Sequence, residues 1–301
     1  MNITRFPALA TFSLLAATLL PFGATAEIIG PYTPDANTLH LWHLDESATP
    51  AIDFTLAGGT NCVGLLNGAT LGSPSFAGFG NALNTIDGGQ DGITARDALL
   101  TPSTATPPGN IAFTYANSTN GAFTFEAIVR IDFDPDKNLG TVANGGNGRG
   151  TSCEILTCES SVNASRIFQF RIFPKGNALV GTILATNGPY VTFENVRAIN
   201  ANQPTIYAPI PTNGPDAIVS NNWYHVAVTY NGVPNTAGNI KFYWTLLNPS
   251  RILANEIPIT SAQTTLSGPN PLSTANTPPV IGNEARARTG NFLGSIDEVS
   301  V

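Results

Sequence analysis

Between Ala122 and Phe133 the chain reads AFTFEAIVRIDF, and apolar and polar residues alternate along nearly all of it. Phe123, Phe125, Ala127, Val129, Ile131 and Phe133 fall on one side. Thr124, Glu126, Arg130 and Asp132 fall on the other, with Ile128 the one apolar exception. Successive side chains of an extended chain point to opposite faces, so a period of two describes a strand with one face in a core. In 223–230, WYHVAVTY, Tyr224, Val226, Val228 and Tyr230 share a face, and in 240–246, IKFYWTL, so do Ile240, Phe242, Trp244 and Leu246. Further strands are expected at 39–44, 166–173, 178–184, 190–193, 279–282 and 292–301. Turn residues such as Asn231-Gly232 and Pro278-Pro279 separate them. Past the N-terminal segment no run of ten or more residues carries a helical apolar stripe. Strands recurring over the whole length predict an all-β fold, a two-sheet antiparallel β-sandwich. The Gly/Asn/Pro-rich regions 134–165 and 194–220 read as loop excursions, where a sandwich usually keeps its specificity.

Composition agrees. Charged residues make up 11%, against about 25% in an average soluble protein. With 29 Gly and 23 Pro, the chain suits short strands joined by neutral loops and lacks the Ala, Glu, Lys and Leu that helices favour. A net charge of −7 argues against nucleic-acid binding, which needs Lys and Arg to neutralise phosphates.

Arg5 is the one charge before Glu27; an apolar run from Phe6 to Leu20 follows it, and the segment ends Ala24-Thr25-Ala26. This pattern predicts a signal peptide at 1–26 and a mature chain at 27–301 that is secreted, periplasmic or cell-surface. No stable membrane insertion is then expected after cleavage, an uncleaved anchor being the alternative. Residue 27 is Glu and not Cys, which argues against a lipoprotein. In an oxidising compartment Cys153 and Cys158, five residues apart in a Gly/Ser-rich stretch, suggest a local disulfide. Pairing of Cys62 with one of them is the alternative.

Several motifs in order then become recognisable. They are Leu41-Trp42-His43-Leu44-Asp45-Glu46, Asn67-Gly68-Ala69, Phe79-Gly80-Asn81-Ala82-Leu83, the Phe123 to Ala127 strand, Trp223 to Gly232, Ile281-Gly282-Asn283, and Phe292 to Val299. From about residue 38 to the end the chain resembles the bacterial laminin-G-like, concanavalin A-like jelly-roll family. It departs from that pattern in lacking a Val-Asp-Gly after 240–246 and in ending at Val301, without the short tail of relatives. The second departure fits a piece of a longer surface protein.

The resemblance implies an exported carbohydrate-binding or adhesion module, with a polysaccharide, a glycoconjugate or a cell-surface protein as partner. The alternatives are a structural protein-interaction domain and a glycoside hydrolase or lyase of the same fold. Hydrolases of the laminarinase type place carboxylates at alternate positions of one strand, about 5 Å apart across a cleft. No Glu-x-Asp-x-x-Glu occurs here, and Pro135 makes the Asp132, Asp134, Asp136 series a poor rigid strand. Asp297 and Glu298 are adjacent, so a regular strand sends them to opposite faces. A lyase would group Arg, Gln, His and Tyr, and Arg166, Gln169 and Arg171 share a segment, but no Gln-x-His follows. The expectation is therefore a non-enzyme with no catalytic residues.

For sugar stacking the candidates are Trp223, Tyr243, Tyr190 and Tyr207. Counting in twos puts Asp297 on the face of Val299 and Val301, where a carboxylate needs hydrogen bonds or a metal. The resemblance implies Ca²⁺ on the sandwich rim, with Asp53 and the Gly58–Asn61 stretch as companions of Asp297. The bland alternative is that Asp297 accepts backbone N–H bonds. The three histidines, His40, His43 and His225, read as surface or hydrogen-bonded strand residues.

Overall fold

The computed structural model describes residues 28, 30–55, 61–67, 69–85, 97–102, 122–132, 153–158, 168–173, 189–195, 206–248, 253–266, 279–283 and 292–301. The leader at 1–26, the strand expected at 178–184, and Gly58, Phe133, Asp134, Asp136 and Arg166 lie outside these residues.

The described residues form fifteen strands: β1 Leu41–Trp42, β2 Cys62–Asn67, β3 Thr70–Pro74, β4 Asn81–Asn84, β5 Asp97–Pro102, β6 Phe123–Ile131, β7 Cys153–Cys158, β8 Phe168–Phe173, β9 Tyr190–Asn195, β10 Ile206–Pro209, β11 Trp223–Tyr230, β12 Ile240–Leu246, β13 Glu256–Ile257, β14 Pro279–Ile281 and β15 Gly294–Ser300. They form two antiparallel sheets. One runs β13-β12-β11-β6-β15-β4-β3, with β1 also paired to β15, and the other runs β10-β9-β8-β7-β14-β5-β2. The fold is an all-β sandwich. No helix occurs among the described residues, so none there is long and apolar enough to cross a membrane.

The alternating faces read from sequence are the faces that meet. Phe125, Ala127, Val129 and Ile131 of β6, Tyr224, Val226 and Val228 of β11, and Phe242 and Trp244 of β12 enter one core. Phe168, Phe170, Ile172, Val191 and Phe193 enter it from the other sheet. Phe125 stacks on Phe168 across the interface with ring centroids 4.7 Å apart, a geometry that adds to the burial of two large rings. Ile128, the exception in the β6 alternation, faces away from this core. It is buried instead under a second apolar cluster with Ile28, Phe79 and Leu247.

Three expectations need correction. The stretches 134–165 and 194–220 are not loops throughout, since β7 and β10 lie within them. Cys153 and Cys158 are the two ends of β7. At about 3.3 Å per residue they stand roughly 15 Å apart, while a disulfide needs Cα atoms within about 7 Å. No local disulfide joins them. Cys62 is a buried thiol whose pKa burial pushes well up.

The third correction concerns β15. Its register against β6 shifts between Asp297 and Ser300, and Glu298 takes φ 51°. This β-bulge inserts a residue, so the count in twos fails beyond Ile296. Ile296 and Val299 face the core. Asp297, which pairs with Ile128, lies on the outer face and not on the Val299 side.

Candidate functional site

On the outer face of the seven-stranded sheet, polar residues line up across four strands. Glu154 of β7 is the register partner of Arg171 of β8, Arg171 that of Thr192 of β9, and Thr192 that of Tyr207 of β10. Thr157, Gln169 and Glu194 form the row on one side, and Phe173, Tyr190 and Pro209 the row on the other. Alternation along β8, β9 and β10 explains their members of the set. A register shift between Glu154 and Leu156 brings both Glu154 and Thr157 of β7 to this face, with Ile155 and Leu156 in the core.

Arg171 is the hub. Its Nη1 donates to Glu154 Oε1 at 3.1 Å and its Nη2 to Glu194 Oε2 at 2.6 Å. Its guanidinium lies 4.6 Å from the Phe173 ring centroid, a cation–π contact. Tyr190 and Tyr207 meet edge to face with centroids 5.0 Å apart. Burial and the neighbouring Tyr207 raise the Tyr190 hydroxyl above its usual pKa. Exposure is graded along the face. The Glu154 and Arg171 side chains are 0% and 7% accessible and that of Glu194 17%, and Tyr207 is half-buried. Thr192 and Tyr190 of β9 are buried, so the face is open to solvent at Glu194, Tyr207 and Pro209.

The outer face of the eight-stranded sheet carries the other polar groups, and all three histidines bond carboxylates there or at its rim. His40 Nδ1 donates to Asp53 Oδ2 at 2.7 Å, His43 Nδ1 to Glu298 Oε1 at 2.8 Å, and His225 Nε2 lies 3.2 Å from Glu126 Oε2. The bulge brings Asp297 and Glu298 to one side, contrary to the opposite faces expected of neighbours. Ser75 Oγ donates to Asp297 Oδ2, and the Glu298 N–H to Asp297 Oδ1 at 2.8 Å. The Tyr32 N–H donates to Glu298 Oε2 at 2.9 Å, tying the segment before β1 over this face.

Asp53 and Asp297, the two carboxylates expected at a calcium site, each bond their own set of protein groups. Asp53 Oδ1 accepts the N–H groups of Leu41 and Thr55, and Oδ2 faces His40. Burial disfavours its charge, but these donors, His40 foremost, hold it below the usual carboxylate range. Asp297 binds a different set of partners. Among the described residues no group of three or more His, Cys, Asp and Glu is placed to hold a metal ion.

The four aromatic candidates divide between the sheets. Tyr190 and Tyr207 meet beside Arg171. Trp223 and Tyr243 lie on the far face, Trp223 with the Arg130 guanidinium 5.6 Å from its ring centroid. Sequence reasoning set aside Gln169 and Arg171 for want of a motif and missed Glu154 and Glu194. For Glu194 the missed signal was alternation within YVTFEN, whereas in CEILTC the register shift between Glu154 and Leu156 breaks the period of two.

No protein-family model matches the chain, and no curated protein matches it. Solved structures do. A Trypanosoma rangeli sialidase in complex with sialic acid aligns over 92% of this chain and 33% of its own, at 12% identity and TM-score 0.42. A PL-14 alginate lyase from Aplysia kurodai aligns over 88% and 98%, at 11% identity and TM-score 0.42. The receptor-binding domain of botulinum neurotoxin type G aligns over 88% and 47%, at 11% identity and TM-score 0.40. The chain thus spans about a third of the sialidase. These likenesses carry no residue of a site across. Two of the matched proteins are enzymes, and that overturns the expectation of a non-enzyme. The absent laminarinase-type spacing excludes that one arrangement and no more.

Proposed function

We propose that this chain is an exported carbohydrate-recognition sandwich of the laminin-G-like type. It takes a glycan at the open end of the seven-stranded sheet's outer face. The observation that carries this reading is the Tyr190–Tyr207 edge-to-face pair on the same face as the ion-paired Glu154, Arg171 and Glu194. A half-buried ring offers an apolar face to the C–H side of a pyranose, while fixed charged groups bond its hydroxyls. Export is supported by the leader-like residues 1–26, and the family by the ordered motifs.

The test is polysaccharide pull-down and calorimetry on the purified chain. Tyr207→Ala is expected to weaken binding about tenfold, the loss of one good packing contact, with its melting temperature kept. Failure of the parent chain to bind any glycan overturns the reading. Turnover of the bound chain is a second reading, favoured by two carboxylates flanking one guanidinium on a single face. Release of reducing ends, lost in Glu194→Gln, is its signature.

A further inference from the structure

We infer that the glycan taken at this face is a neutral, hydroxyl-rich polysaccharide and not a polyanion; the inference rests on the site reading above. Recognition of a uronate, sialate or sulfate needs a guanidinium fork free to form two parallel hydrogen bonds. Each terminal nitrogen of Arg171 already bonds a carboxylate, one Glu154 at 3.1 Å and the other Glu194 at 2.6 Å, so a ligand anion would have to displace one of them or share the guanidinium with both. Its flat side rests 4.6 Å from the centroid of Phe173. Claiming the fork for a ligand would strand two carboxylates, one of them fully buried, which is costly.

The two carboxylates also outnumber the one guanidinium. The member of the trio nearest to solvent is Glu194, so an arriving ligand meets an acceptor. Sugar hydroxyls donate to such a group, whereas a ligand carboxylate is repelled by it. Two like charges at contact distance in a partly wet site cost roughly tenfold in affinity. The net charge of −7 over the whole chain acts in the same direction. Gln169 and Thr192, on the same rows, are buried, which leaves Glu194 and Tyr207 as the polar side chains of the face that a ligand reaches.

Affinity electrophoresis of the full chain decides. The gels hold mixed-linkage β-glucan, glucomannan, alginate, polygalacturonate or chitosan, at low and at physiological salt. Retardation by a neutral glycan, at least about tenfold stronger than by alginate or polygalacturonate, is the expected result. Glu194→Gln should narrow that gap by raising retention on the polyanions, and Tyr207→Ala should weaken retention on the neutral chain. Both positions are partly exposed, so both variants should fold, which a thermal melt checks. Stronger retention by a polyanion or by chitosan, still weakened by Tyr207→Ala, overturns the neutral class and leaves the site reading standing. Neutral binding that is indifferent to Tyr207→Ala overturns the site reading, as does no binding to any of the five; either takes the present inference with it.

Discussion

Asp297 and Glu298 are consecutive, yet both carboxylates reach the outer face of the eight-stranded sheet, because Glu298 occupies a β-bulge at φ 51°. The bulge sets two acidic groups against each other under the segment that Tyr32 anchors. Burial and the charges of Glu126, Glu298 and Asp297 raise the Tyr32 hydroxyl well above its ordinary pKa.

Stability should fall as pH rises. Burial, reinforced by the Glu298 charge, pushes the Asp297 carboxyl up to about 9, against around 4 in an unfolded chain. The folded state therefore holds an extra proton between those values. Its contribution is full below the lower value and lost as pH rises through the higher. Melting temperature should drop between about pH 5 and about pH 9, and Asp297→Asn should flatten the profile. That variant should also gain about 1–3 kcal/mol at about pH 8, because the parent must take up a proton on folding there and the amide need not. A parent profile that is flat over this range would contradict the assignment.

The neighbouring pair has a different signature. Burial works against the His43 imidazolium, but Glu298, with Asp45 and Glu46, outweighs it and raises the pKa above the usual histidine value. Stability from this pair is present below about pH 6.5 and lost as pH rises through the folded value. Glu298→Gln keeps an oxygen for the Tyr32 N–H but removes the charge. NMR titration should find His43 titrating lower in the variant, and urea melts a loss of about 2 kcal/mol at about pH 5.5. An unmoved His43 titration refutes the pairing.

The long strands were legible because burial of one face imposes a period of two. At 223–230 and 240–246 the expected ranges match β11 and β12. Alternation failed as a guide where a bulge shifts the count, as at Glu298, and where a strand of six residues sits in Gly-rich surroundings, as at Cys153–Cys158. The site was legible in part. Tyr190, Tyr207 and Arg171 were visible as residue types, but the row that joins them depends on register between strands distant in sequence. Composition carries no information about which strand lies beside which.

Gly294 should not tolerate a side chain. Its φ is +155°, and a Cβ there would lie 1.8 Å from the carbonyl oxygen of Arg130, on the strand it pairs with. Backbone cannot yield as a flexible side chain can. Gly294→Ala should cost about 3 kcal/mol or more and loosen the β6–β15 pairing, seen as faster amide exchange in Val129 and Ile131. Wild-type stability in that variant would show that β15 lies differently.

Peptide mapping without reduction tests the cysteines. With Cys153 and Cys158 at opposite ends of β7, no peptide linked through that pair should appear. Recovering one would mean that β7 is not a strand.

The Arg171 row separates stability from recognition. Removing the guanidinium alone leaves Glu154 buried and Glu194 partly buried without the cation between them, and Arg171→Met should cost about 3–5 kcal/mol. Replacing all three members, as Arg171→Met with Glu154→Gln and Glu194→Gln, removes the charges together and should recover most of that loss. The two melts in urea give the comparison directly. If the single variant is as stable as the parent, the row is not a coupled unit. The rigid Arg171 on which the glycan preference is argued then loses its support.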